Sequence, residues 1–145
     1  MSSPFDTPPS PAFGAMLTID LGALVANWRA LGARAGTEAA AVVKADAYGI
    51  GIEPAVTALA AAGCRTFFVA HLSEAIRARS VAPDATVYVL NGLLPGTSEV
   101  YAEHGLSPVL GSHDELTEWV AFRRGAGNVV RKAALHVDTA MNRLG

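Results

Sequence analysis

The residue with the clearest chemical potential is Lys44, which closes the apolar run Ala41-Val42-Val43 and is followed four residues later by Tyr48. A lysine emerging from an apolar strand is partly desolvated, which favours its neutral amine, the form that serves as nucleophile or base. Gly49 and Gly51 allow a tight turn after it, so the Tyr48 phenol can be brought back beside the amine. Arg143, near the other end of the sequence, is a fixed cation suited to holding carboxylate or phenolate oxygens. Asp46 and Asp138 are carboxylates of the kind that also cap loops and turns, and that reading is preferred for both. His71, His104 and His113 have no Cys or carboxylate partners at metal-ligand spacing, so no metal site is expected. Gly49-Ile50-Gly51 falls short of a full dinucleotide-binding glycine motif.

Composition narrows the partners. The 145 residues are 51% hydrophobic and 17% charged, against about 25% charged in an average soluble domain. A net charge of −2 gives no basic footprint for nucleic acid or an anionic membrane. A single cysteine, Cys64, excludes an internal disulfide. The opening residues lack the charged and apolar regions of a signal peptide, and no apolar run has the roughly 18 residues of a membrane span. A cytoplasmic protein is expected.

These residues must be positioned by the elements around them. Residues 1–14 hold four prolines among Ser and Thr and read as a disordered tail. From residue 15 to 145, short apolar runs alternate with amphipathic stretches, the pattern of repeated β-α units in one α/β domain. Strands are expected at 15–20, 39–44, 66–70, 86–90, 107–110 and 133–137. Helices are expected at about 22–34, 54–62, from 73, at 97–104, and from a Ser112 cap to about 124, with Glu115 completing a capping box. Six strands and five helices suggest a partial (β/α)8 TIM-type barrel that ends before closure; a doubly wound open sheet is the rival. In either fold Lys44 stands at the carboxyl end of a strand, where functional side chains gather.

Three segments carry a family resemblance. Ala41-Val42-Val43-Lys44-Ala45-Asp46-Ala47-Tyr48-Gly49 resembles the pyridoxal-phosphate attachment motif of alanine racemases. Val137-Asp138-Thr139-Ala140-Met141-Asn142-Arg143-Leu144-Gly145 is similar to that family's V-D-T-G-M-N-R-L-G segment, and Ile19-Asp20-Leu21 with Asn27 resembles its first strand and helix.

The resemblance implies an amino-acid racemase that interconverts L- and D-alanine and supplies D-alanine for the cell wall. It implies pyridoxal 5'-phosphate bound as a Schiff base on Lys44, with Lys44 moving the α-proton on one face of the substrate. Tyr48 and Val42 would help bind the cofactor, and Arg143 would contact both cofactor and substrate. The complete enzyme would be a homodimer. The opposite base, the phosphate cradle and the partner of the pyridine nitrogen belong to later parts of the family's sequence, so the chain is expected to be an N-terminal portion not competent alone. The alternative is a stand-alone pyridoxal-phosphate carrier without racemase activity. Three departures stand out: Ile50 where the family often has His, Ala140 for the usual Gly, and His136 at the place of a lysine that is carbamylated in some members.

Overall fold

A computed structural model describes residues 14–126 and 132–145. Nearly all of the tail expected at residues 1–14 lies outside the described residues.

Five strands form one parallel sheet in the order β1-β2-β3-β4-β5: Ala41–Val42, Thr66–Val69, Thr86–Val89, Ser107–Leu110 and Ala134–Leu135. The register runs Val42 beside Phe68, Phe68 beside Tyr88, Tyr88 beside Ser107, and Val109 beside Ala134. Each strand pairs with the next in sequence. The order never reverses, as a doubly wound sheet requires, and crossovers of one hand place the helices on one face. The architecture is therefore an open partial barrel.

Burial follows from that arrangement. Phe67, Val69, Val87 and Val89 are sealed among Val56 and Leu59 of α3 (Ile52–Ala61) and Ala75 and Ala78 of α4 (Leu72–Val81). The alternate residues Thr66, Phe68, Thr86 and Tyr88 on the other face are only half buried, and the Phe68 and Tyr88 rings stack there with centroids 5.1 Å apart. Val42, on the edge strand β1, is 48% exposed. An unclosed barrel supplies no opposite wall to cover it.

Local signals explain the helix ends. α1 (Leu21–Ala35) starts where the Asp20 carboxylate accepts from Ala23 N–H at 2.9 Å and stops at Gly36 with φ 64°. Its Trp28 indole donates to Ala39 C=O at 2.8 Å, tying α1 to the approach of β1. α5 spans Ser98–Glu103. α6 (His113–Gly125) begins with Ser112 Oγ accepting from Glu115 N–H; the Glu115 carboxylate accepts from Gly111 N–H, one residue before the cap, so the expected box closes slightly offset.

Two departures from the sequence reading matter. Residues 15–20, expected as a strand, are irregular and exposed, because no neighbouring strand among the described residues supplies hydrogen-bond partners. The strands thus number five among the described residues. An added short element, α2 (Lys44–Tyr48), follows β1 directly and is not an ordinary helix.

Candidate active site

Lys44 leaves β1 at its carboxyl end and lines a cleft of about 740 Å³. The same cleft is lined by His71 after β2, Asn91 after β3, and His136 and Arg143 after β5. Residues remote in sequence thus converge because parallel strands deliver all their carboxyl ends to one rim. His71 Nδ1 and Asn91 Nδ2 lie 3.3 Å apart on that rim.

The backbone behind Lys44 is unusual. Ala45, Asp46, Ala47 and Tyr48 have φ of 53–56°, forming a left-handed turn without a glycine. Each such residue costs roughly 1–2 kcal/mol relative to the right-handed form. Contacts from other elements offset that cost. Asp46 Oδ1 accepts from Ile52 N–H at 3.0 Å and from Arg77 Nη2 at 2.8 Å, while Arg77 also pairs with Glu53. The bonds to Glu53 and Asp46 raise the Arg77 guanidinium above its ordinary value, and the Arg77 bond lowers Glu53. The Glu74 carboxylate also accepts from Asp46 N–H at 3.3 Å.

The turn sends Tyr48 away from the lysine's cleft. Tyr48 is 66% exposed and lines a smaller groove with Val42, Leu24 and Trp28. The sequence-based set therefore divides: Lys44 and Arg143 share one cleft, whereas Tyr48 and Val42 share another. Ile50 packs against the core beside this second groove.

Arg143 is carried by a loop built on Asp138. The Asp138 carboxylate accepts from Ala140 N–H and Arg143 N–H, each at 2.9 Å, and the donating amides hold its pKa down at about 2. The loop's left-handed residue is Asn142, with φ 53°. Ala140 is outside that region, so its methyl group meets no backbone objection.

The floor of the cleft is firm. Tyr101 is buried and its hydroxyl donates to Gly92 C=O at 2.6 Å. Burial, with a smaller contribution from the Glu115 charge, pushes Tyr101 up to about 12, so it remains a neutral donor. Among the described residues no group of three or more His, Cys, Asp or Glu is placed to hold a metal.

Sequence reasoning gave no role to Asn91, Tyr101 or Glu74. Their only signal was position: Asn91 follows a strand and Glu74 opens the next helix. Tyr101 sits in a helix interior, where nothing in the sequence marks it as facing a cleft.

Comparison with known proteins places the arrangement. Residues 19–145 match the family model "Alanine racemase, N-terminal domain". An alanine racemase of Methylobacterium sp. (strain 4-46) is 62% identical over 133 residues, covering 91% of this chain and 36% of the relative. That of Brucella ovis is 50% identical over 136 residues, 92% of this chain and 34% of its own length. The chain thus spans about a third of the curated relatives it matches. Among solved structures, alanine racemase from Bartonella henselae with covalently bound pyridoxal phosphate superposes with a TM-score of 0.82 at 42% identity, covering 88% of this chain and 36% of that one. The alanine racemase from Streptomyces coelicolor A3(2) gives 0.77 at 35%, with coverage of 88% and 34%. Similarity in both sequence and fold, extending across the cleft from Ile19 to Gly145, means that this chain belongs to the alanine racemase family, in its N-terminal barrel domain.

Proposed function

We propose that this chain carries the cofactor lysine of a pyridoxal-phosphate-dependent alanine racemase, the activity that supplies D-alanine for the cell wall from the cytoplasm. The observation supporting this reading is that Lys44 and Arg143 line one cleft at the strands' carboxyl ends.

The residues present fit the cofactor. A primary amine that can bond covalently and a guanidinium that can face an anion line the same space, whose 740 Å³ lies within the usual range for a small-molecule site. When bound, pyridoxal phosphate delocalises the charge left as the α-proton departs.

Lys44 has two tasks in this reading: to bind the cofactor through its amine and, once released by substrate, to take or return the α-proton on one face. Arg143 holds anionic oxygen atoms of cofactor and substrate. Inversion needs a second acid-base group on the opposite face. Tyr101 does not serve, since its hydroxyl is committed to Gly92. In this reading the opposite group is supplied by a later part of the family's sequence, and the whole enzyme is a homodimer. Tyr48 and Val42, in the neighbouring groove, are the further residues that would help hold the cofactor in this reading.

The test is to incubate the chain with pyridoxal phosphate, reduce with borohydride and map the adduct. An adduct on Lys44, lost in Lys44→Ala, is expected; labelling of Lys132 or the terminal amine to the same extent as Lys44 would overturn the assignment. Exchange of the alanine α-proton in deuterated water then separates the readings. Adduct with exchange supports a racemase half-site and overturns the carrier reading.

A further inference from the structure

The left-handed turn after Lys44 is tied to the next β-α unit by one carboxylate. Glu74 stands in the first turn of α4. Its Oε2 accepts from Ala70 N–H at 2.9 Å and His71 N–H at 3.1 Å, at the carboxyl end of β2. Its Oε1 accepts from Asp46 N–H at 3.3 Å, and Ala45 N–H is also directed at the carboxylate. Both of those amides lie in the turn that Lys44 begins.

We infer that Glu74 is a positioning residue for Lys44: its carboxylate joins the end of β2 to the first two amides of the left-handed turn and so fixes the direction in which the lysine leaves β1. The inference rests on the reading of Lys44 as the cofactor-bearing amine.

Three observations carry it. An ordinary capping carboxylate serves the helix it belongs to, whereas Glu74 also serves amides in a separate element preceding β2. The corresponding carboxylate of α6, Glu115, accepts from Gly111 N–H at its own strand end and braces no such turn. Residues 45–48 include no glycine, so their shape must be imposed from outside, and the bonds from Arg77 and Ile52 reach only the Asp46 side chain, not the turn's amides. Burial by itself would raise the Glu74 pKa, but the amides of His71, Ala70, Asp46 and Ala45 outweigh it and hold the group below its ordinary value. The brace is therefore a charged acceptor at neutral pH, the stronger kind of hydrogen-bond partner.

The experiment compares Glu74→Gln and Glu74→Ala with Glu118→Gln, whose carboxylate accepts from Gly96 N–H and Ser98 Oγ away from the turn. Amide hydrogen exchange is measured on the full chain without cofactor, and the initial rate of borohydride-trapped pyridoxal-phosphate adduct formation at Lys44 is measured separately. In Glu74→Gln, exchange at Ala45 and Asp46 should rise about tenfold with β3 and α6 unchanged, and the Lys44 adduct should form several-fold more slowly. Glu118→Gln should alter neither. Exchange at the two amides within about twofold of wild type, or faster exchange with an unchanged adduct rate, would overturn the inference. If Glu74→Ala does not fold, Glu74→Gln decides alone. A wild-type chain that forms no Lys44 adduct refutes the cofactor reading, and with it the role of the brace toward the cofactor; tenfold faster exchange in Glu74→Gln would still establish the brace on the turn.

Discussion

The Tyr101 hydroxyl and the Gly92 carbonyl meet at 2.6 Å in the buried floor of the cleft. Removing the hydroxyl strands a carbonyl away from water, so Tyr101→Phe should cost about 1–3 kcal/mol in denaturant unfolding. Burial of the same phenol also sets a pH dependence. A group whose pKa is raised by folding, here to about 12 from an ordinary 10.0, contributes stability below the lower value and loses it as pH climbs through the higher. The difference in stability between wild type and Tyr101→Phe should therefore shrink between pH 10 and 12. A difference constant across that window would show that ionisation of Tyr101 is not coupled to folding.

Gly92 is demanding for two reasons at once. Its φ is +80°, and a Cβ there would run into the Glu115 carboxylate, whose Cδ would lie only 2.8 Å away. Gly92→Ala should destabilise the fold by about 2–4 kcal/mol, from backbone strain plus displacement of the acceptor for Gly111 N–H. Adding Glu115→Ala removes the collision but not the strain, so the double variant should recover part of the loss relative to the sum of the singles. Thermal unfolding of the four proteins in a double-mutant cycle checks this, and strict additivity would rule out the collision.

Local elements could be read in the sequence, and those that depend on distant partners could not. β4 occupies 107–110 as expected, and Ser112 caps α6, because alternation, capping and glycine stops are local signals. Residues 15–20 have the apolar look of a strand, but a strand exists only when another pairs with it. The turn at 45–48 was illegible for a similar reason. Ala-Asp-Ala-Tyr favours a right-handed backbone, and the groups that impose the left-handed one, Glu74 and Arg77, lie in α4. Lys44 and Arg143 could be proposed from their motifs, yet their meeting in one cleft depends on the consecutive strand order. The separation of Tyr48 from that cleft depends on the turn.

Arg79 is a structural hub at the opposite end of the strands. Its guanidinium donates to the carbonyls of His104, Ala82, Pro83, Ala85 and Gly105 at 2.6–3.2 Å, pinning the ends of α4 and α5 around the entry to β3. A lysine has neither the planar fork nor enough donors to replace it. Arg79→Lys should lose about 2–4 kcal/mol of stability while leaving the rate of Lys44 adduct formation within about twofold of wild type. A slower adduct at unchanged stability would contradict this division between scaffold and site.

The loop that presents Arg143 should come apart in acid before the rest of the domain. Asp138 organises it by accepting from Ala140 and Arg143 amides, and those donors depress its pKa from 3.8 to about 2. A depressed carboxylate contributes order that is present above its unfolded pKa and lost as pH falls through the folded one. Protection of the Ala140 and Arg143 amides should hold down to about pH 4 and then decline toward pH 2. In Asp138→Asn, whose amide is neutral and places a donor where one carboxylate oxygen accepted, protection should be weaker than wild type above about pH 4 and flat across that window. The same variant should also weaken binding of small carboxylates in the cleft, because Asp138 shapes the loop that carries Arg143. If Asp138→Asn keeps wild-type protection at pH 7, hydrogen bonding by Asp138 is not what shapes the loop, and the placement of Arg143 would have to come from the packing of Leu144 and Gly145 against the end of β4 instead.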